Sequence, residues 1–230
     1  FDELGNLRPD YMKRLVKILD KADQLKMVVI LGYFYFGQDQ HLKNEQAVIQ
    51  AVDNITNWIL EKGYRNIIIE INNECNIQYD HKILQPDRIH ELIARVQNTK
   101  IGGYRLLVST SYGGGFVPLP NVVNTADYIL LHGNGVKNPD DITAMVRSTR
   151  QVEGYTPKPV LFNEDDHFNF DAEKNNFAMA IQAYASWGYF DYRMDKEGFE
   201  SGYQSVPVDW GIRSDRKRQF FSKLQEITEE

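Results

Sequence analysis

The sequence predicts an α/β protein built from parallel strands, arranged as a single (β/α)8 barrel domain spanning residues 1–230. Three observations carry this. Strand-like apolar runs alternate with helical periodicity along the whole chain, which calls for βαβ units and a parallel sheet. The runs are continuous rather than alternating, as strands buried on both faces are. Nearly every run ends in polar residues, where a barrel places its chemistry, whereas a doubly wound sheet, which also fits the alternation, gathers it at one switch point.

Taken in order, Pro9 suits the first turn of a helix running to about Leu25, with Tyr11, Leu15, Ile18, Ala22 and Leu25 on one apolar face. Met27 to Leu31 is a buried strand opening into Gly32-Tyr-Phe-Tyr-Phe-Gly-Gln-Asp-Gln-His41. Gln46 to Lys62 is a helix stopped by Gly63. Ile67 begins the greasiest strand, which turns abruptly polar at Asn72-Asn73-Glu74-Cys75-Asn76. A helix over Asp87 to Asn98 follows Pro86, then a strand over Arg105 to Ser109 and a glycine-rich Ser111-Tyr112-Gly113-Gly114-Gly115. That loop has no Gly-Lys-Ser/Thr and no GxGxxG pattern, so it is not a phosphate cradle.

Asp127 to Leu131 is a strand ending in His132-Gly-Asn-Gly, followed by a helix over Pro139 to Val152. Pro159 to Phe162 is a strand ending in Asn163-Glu164-Asp165-Asp166-His167. A helix over Asn175 to Trp187, a last strand over Tyr189 to Met194, and a closing helix from Asp215 to about Thr228 complete the reading. A barrel needs eight strands, and six are visible, with a helix first. The expectation is therefore a β-α-β segment upstream of Phe1.

Composition narrows the function. A net charge of −6 without a basic cluster disfavours a nucleic-acid partner; Arg213, Arg216, Lys217 and Arg218 read as one face of the closing helix. No apolar run approaches the roughly 20 residues of a membrane span. The single cysteine, Cys75, excludes an intrachain disulfide and reads as a small packing residue behind Glu74. Glu70 lies four residues before Glu74 on the same strand face and reads as structural, with Arg105 as its partner.

Two strand ends share one grammar: Asn73-Glu74 closes one and Asn163-Glu164 another, 90 residues later. Three βα units of about 30 residues cover that gap. Two carboxylates in unlike environments suit glycoside cleavage, one holding a proton while the other stays ionised.

In these residues the chain resembles the cellulase- and mannanase-like (β/α)8 glycoside hydrolases, which carry Asn-Glu at the end of strand four and Glu at the end of strand seven. The resemblance implies a retaining glycosidase with Glu74 as acid/base and Glu164 as nucleophile, no cofactor, a carbohydrate substrate, and a secreted or periplasmic setting. It implies that Asn73 bonds the sugar 2-hydroxyl and that His132 contacts substrate. The chain departs from the family at Cys75, where relatives read Pro. It departs again after the Met27 strand, where Phe34, Tyr35 and Gln38-Asp39-Gln40-His41 replace a common His, and at Tyr192, the stand-in for a strand-eight Trp.

Tyr35, Gln38, Tyr112, Trp187 and Tyr192 are the further substrate-binding candidates, and Tyr203 and Trp210 are possible sugar platforms. Two other readings stay open. Glu74, His132, Glu164, Asp166 and His167 are oxygen and nitrogen ligands of the kind that bind Mg, Mn or Zn in metal-dependent sugar isomerases and hydrolases. A carbohydrate-binding barrel without catalysis is the third.

Overall fold

In a computed structural model, described over residues 1–192, 195–198, 211–212 and 214–229, the strands form two separate three-stranded parallel sheets, the first three strands in one and the last three in the other, each in chain order. The closed eight-stranded barrel is therefore corrected. Alternation of strand and helix dictates parallel pairing but not closure, because closure requires each end strand to find a further neighbour. The chain divides into two compact units, Phe1–Gly113 with Pro118–Leu130 and Gln151–Pro159, and Gly114–Val117 with Leu131–Arg150 and Val160–Glu230.

The first unit begins with α1 (Pro9–Gln24), then β1 (Val29–Phe34). The strand starts later than the apolar run does, since Met27 and Val28 are exposed. Helix α2 (Glu45–Lys62) is bounded by local chemistry: the Asn44 side chain accepts the Ala47 N–H, and Gly63 takes the left-handed conformation at the other end. Next come β2 (Ile67–Asn72), α3 (Ile89–Asn98) and β3 (Leu107–Ser109). Strand β2 is the centre of its sheet, pairing Phe34 with Asn72 on one side and Ser109 with Glu70 on the other. Val48, Ala51, Ile55 and Ile59 of α2 join Ile67, Ile69, Ile71, Leu92 and Ile93 in one core. Each of the valine, leucine and isoleucine side chains contributes roughly 1.5–3 kcal/mol on burial.

A short helix α4 (Pro120–Thr125), unforeseen in the sequence, precedes β4 (Ile129–His132). Arg105 is bound bidentately to Asp127, at 2.7 and 2.8 Å, and not to Glu70. The Asp127 carboxylate also accepts the Val108 N–H, so it is the better-placed partner.

The second unit holds α5 (Pro139–Arg150), β5 (Val160–Glu164), α6 (Asn176–Gln182), β6 (Ser186–Trp187) and α7 (Asp215–Thr228). The helix expected to reach Trp187 stops at Gln182, and Trp187 instead pairs with Phe162 in the sheet. Tyr189 to Tyr192 form no strand; Arg193 and Met194 lie outside the described residues, as do Tyr203, Trp210 and Arg213. The closing helix is not a solvated basic face, because Arg216 and Lys217 are buried. Arg216 binds Asp191 at 2.7 Å, Glu197, and the Tyr192 carbonyl, which fastens the chain after β6 to α7. Among the described residues no helix is long and apolar enough to cross a membrane.

Candidate functional site

At the end of β2 the backbone leaves the sheet in a tight turn. The Asn73 N–H still reaches the Phe34 carbonyl at 3.1 Å. Glu74 then takes a left-handed conformation, with φ 51°. That region is sparsely populated by side chains other than glycine, and a residue held there is a candidate for function. Ser111 holds the turn from below: its Oγ accepts the Glu74 N–H at 2.8 Å, and its carbonyl accepts the Cys75 N–H at 2.9 Å. Asn72, fully buried, donates to Leu84 and accepts from the Thr110 hydroxyl at 2.7 Å. The Tyr79 hydroxyl donates to the Asn73 carbonyl at 2.6 Å. Glu74 is thus presented, half-buried, by a turn braced from β3 and the segment after β2.

Cys75 lies beneath this turn, 1% exposed. Burial pushes its thiol up to about 12, against the pull of the Tyr112 hydroxyl and with the Glu70 charge adding to the rise. It is a protonated packing group at neutral pH, not a nucleophile. Tyr112, itself 3% exposed, packs in the same layer and offers no ring to a substrate. Tyr35 and Gln38 are exposed on the loop after β1, with the Tyr35 ring stacked on Phe36 at 4.3 Å.

In the second unit, β4 ends at His132 and β5 at Glu164, and the Gly133 N–H donates to the Glu164 carbonyl at 2.7 Å. The Asn134 side-chain amide donates to Glu164 Oε2 at 3.1 Å. His132, fully buried, brings Nδ1 to 3.6 Å from the same oxygen, long for a hydrogen bond. The Glu164 side chain keeps 22% exposure. Only glycine fits at 133, since a Cβ there would stand 2.1 Å from Asp165 Oδ2.

No protein-family model matches the chain, and no curated protein does either. Function therefore rests on the side chains themselves.

Asp165 is the hub of the segment after Glu164. Fully buried, it accepts from His167 Nδ1 at 2.7 Å, Trp187 Nε1 at 2.9 Å, the Asn176 amide at 2.9 Å and the His167 backbone at 3.1 Å. A carboxylate acceptor assigns the proton of His167 to Nδ1 and leaves Nε2 as the basic nitrogen. Asp166 accepts the Gly135 N–H at 3.1 Å and lies 3.2 Å from His167 Nδ1. Asp165, Asp166 and His167 offer ligand atoms within 4.8 Å of one another, but Asp165 already serves four donors and has little left for a metal.

Trp187, expected among the substrate-binding residues, is buried with its ring stacked against Phe177 and Tyr189, at 5.0 and 6.0 Å. Its ring is committed to this aromatic cluster, so it is a packing residue. Tyr192 is half-buried beside Phe190 and gives its carbonyl to Arg216. Asn134 and Ser111 were not singled out by the sequence. The Gly-Asn-Gly directly after a strand was the available signal for Asn134; Ser111 gave none.

Proposed function

We propose that the protein is a retaining glycoside hydrolase acting on an oligo- or polysaccharide. The observation that carries this reading is that the central strand of each sheet runs out into Asn-Glu, with the acid partly exposed and its position braced from a neighbouring strand's loop, through the Glu74 backbone N–H by Ser111 and through the Glu164 carboxylate by Asn134. Glu164 attacks the anomeric carbon as the glycosidic C–O bond breaks, while Glu74 delivers a proton to the leaving oxygen. Glu74 then takes a proton from water, which attacks the same carbon and releases Glu164. Asn134 orients the nucleophile's Oε2, and Asn73 and His132 serve substrate positioning.

A screen of chromogenic β-glycosides and polysaccharides tests this directly. Glu164→Gln is expected to abolish turnover without changing the circular dichroism spectrum; a fully active variant overturns the assignment. Proton NMR of the first-formed product is expected to show retained anomeric configuration, and inversion refutes the mechanism. A second reading, a divalent-metal hydrolase or isomerase, rests on Asp166 and His167, which stand in one group of ligand atoms with Asp165. Loss of activity in a chelator, restored by the metal, would select it, and chelator-insensitive cleavage removes it.

A further inference from the structure

We propose that the groove at the C-terminal end of β1 binds a neutral saccharide unit, with the Asp39 carboxylate as its polar hub. The groove has a volume of about 330 Å³ and is lined by Phe34, Tyr35, Gln38, Asp39, His41 and Arg8, among others. That size falls in the range of small-molecule pockets, and ligands of open parallel sheets bind beyond the carboxyl ends of the strands.

Asp39 is the observation that points to a ligand. It is 2% exposed. Its Oδ2 accepts the backbone N–H groups of Asp80 and His81 at 2.9 and 3.0 Å, which staples the segment after Glu74 to the loop after β1. Its Oδ1 is buried and has no hydrogen-bond partner among the described residues. An unsatisfied carboxylate oxygen costs free energy on the order of 1–3 kcal/mol or more, and the staple uses only the other oxygen. A hydroxyl donor entering the groove supplies the missing bond.

The rest of the lining selects the class of donor. Asp2 also lines the groove and is tied to Asn6 at 2.9 Å, and the Arg8 guanidinium lies over the Tyr11 ring, 4.8 Å from its centroid. Two acids against one arginine disfavour an anionic ligand. Tyr35, half-exposed, offers an aromatic surface, while Gln38 and His41, both exposed, offer amide and imidazole groups. An apolar flank beside hydroxyl-matching polar groups is what a pyranose ring presents, with its C–H face and its hydroxyl edge.

The groove lies at the same end of the same sheet as Asn73-Glu74, since Phe34 pairs with Asn72 and its carbonyl accepts the Asn73 N–H. As a subsite for the cleaved chain it rests on the glycosidase reading; as a sugar-binding groove it stands alone.

The test is titration calorimetry of the full chain carrying Glu164→Gln, which blocks turnover, against linear β-linked gluco-, manno- and xylo-oligosaccharides. At least one series is expected to bind. Tyr35→Ala and Asp39→Asn, each with an unchanged circular dichroism spectrum, are expected to weaken it about tenfold, the equivalent of about 1.4 kcal/mol. Failure of every series to bind, or binding indifferent to both substitutions, overturns the proposal. Turnover by the unsubstituted protein with KM unmoved by the groove variants sinks the groove and spares the glycosidase reading. Sugar binding lost in the groove variants, without turnover of any substrate by the unsubstituted protein, does the reverse.

Discussion

Replacing Glu74 by glycine is expected to leave the protein more stable than replacing it by alanine, the reverse of the usual order. At most positions glycine is the worse of the two by about 0.5–1 kcal/mol, because it has more backbone freedom to lose on folding. Residue 74 has φ 51°, and a side chain in the left-handed region costs roughly 1–2 kcal/mol. Both substitutions remove the same carboxylate and whatever it touches, so their difference isolates the backbone. Subtracting the glycine entropy from the released strain leaves glycine ahead by about 0.5–1 kcal/mol. The Ser111 contacts to the N–H groups of residues 74 and 75 are retained in both variants. Urea denaturation measures the difference as a shift in midpoint at constant m. If the alanine variant is as stable as the glycine variant, or more so, the turn holds Glu74 without strain and the inference from conformation to function fails. Both variants should lack turnover.

Asp165→Ala is expected to cost about 3–5 kcal/mol, since it leaves buried donors on Trp187 and Asn176 without acceptors; a loss below about 1 kcal/mol in urea would show that water replaces the carboxylate. The Cys75 thiol, pushed up to about 12 chiefly by burial, should resist iodoacetamide at pH 8 in native buffer and react in denaturant; rapid native alkylation contradicts the packing role. Burial raises the Asp127 carboxyl, but bonds from Arg105 and the Val108 N–H outweigh it and hold the group below its ordinary value. A folded value below the unfolded one stabilises fully above the unfolded carboxyl pKa of about 3.9, and that stabilisation is lost as pH falls through the folded value. Urea midpoints should therefore drop on acidification below about pH 4, and less steeply in Arg105→Met; an unchanged slope in that variant refutes the linkage.

Much of the helical structure was legible because its causes are local. Pro9 and Gly63 mark helix ends through their own backbone geometry, and the helices at Pro9–Gln24, Glu45–Lys62 and Asp215–Thr228 fall within a residue of the sequence reading. The two Asn-Glu strand ends were equally plain, since polar residues after a greasy run mark where a strand leaves its sheet. Helix α4 escaped notice because a single turn and a half shows no apolar period.

What the sequence by itself determined was the alternation of strand and helix, the parallel pairing it demands and the position of two acids at strand tips. Periodicity and caps act over a few residues, and the chain carries them wherever it folds. Only the tertiary structure decided the rest. Whether a sheet closes depends on neighbours distant in sequence, and here the strands form two sheets of three. Trp187 left the helical pattern for β6 because Phe162 offered it a strand and Asp165, 22 residues away, offered its indole an acceptor. Arg105 had Glu70 and Asp127 in reach of any sequence argument, and the fold gave it Asp127. The left-handed turn at Glu74 and the unsatisfied oxygen of Asp39 carry no sequence signal at all, because strain and desolvation exist only once the surrounding chain has fixed them in place.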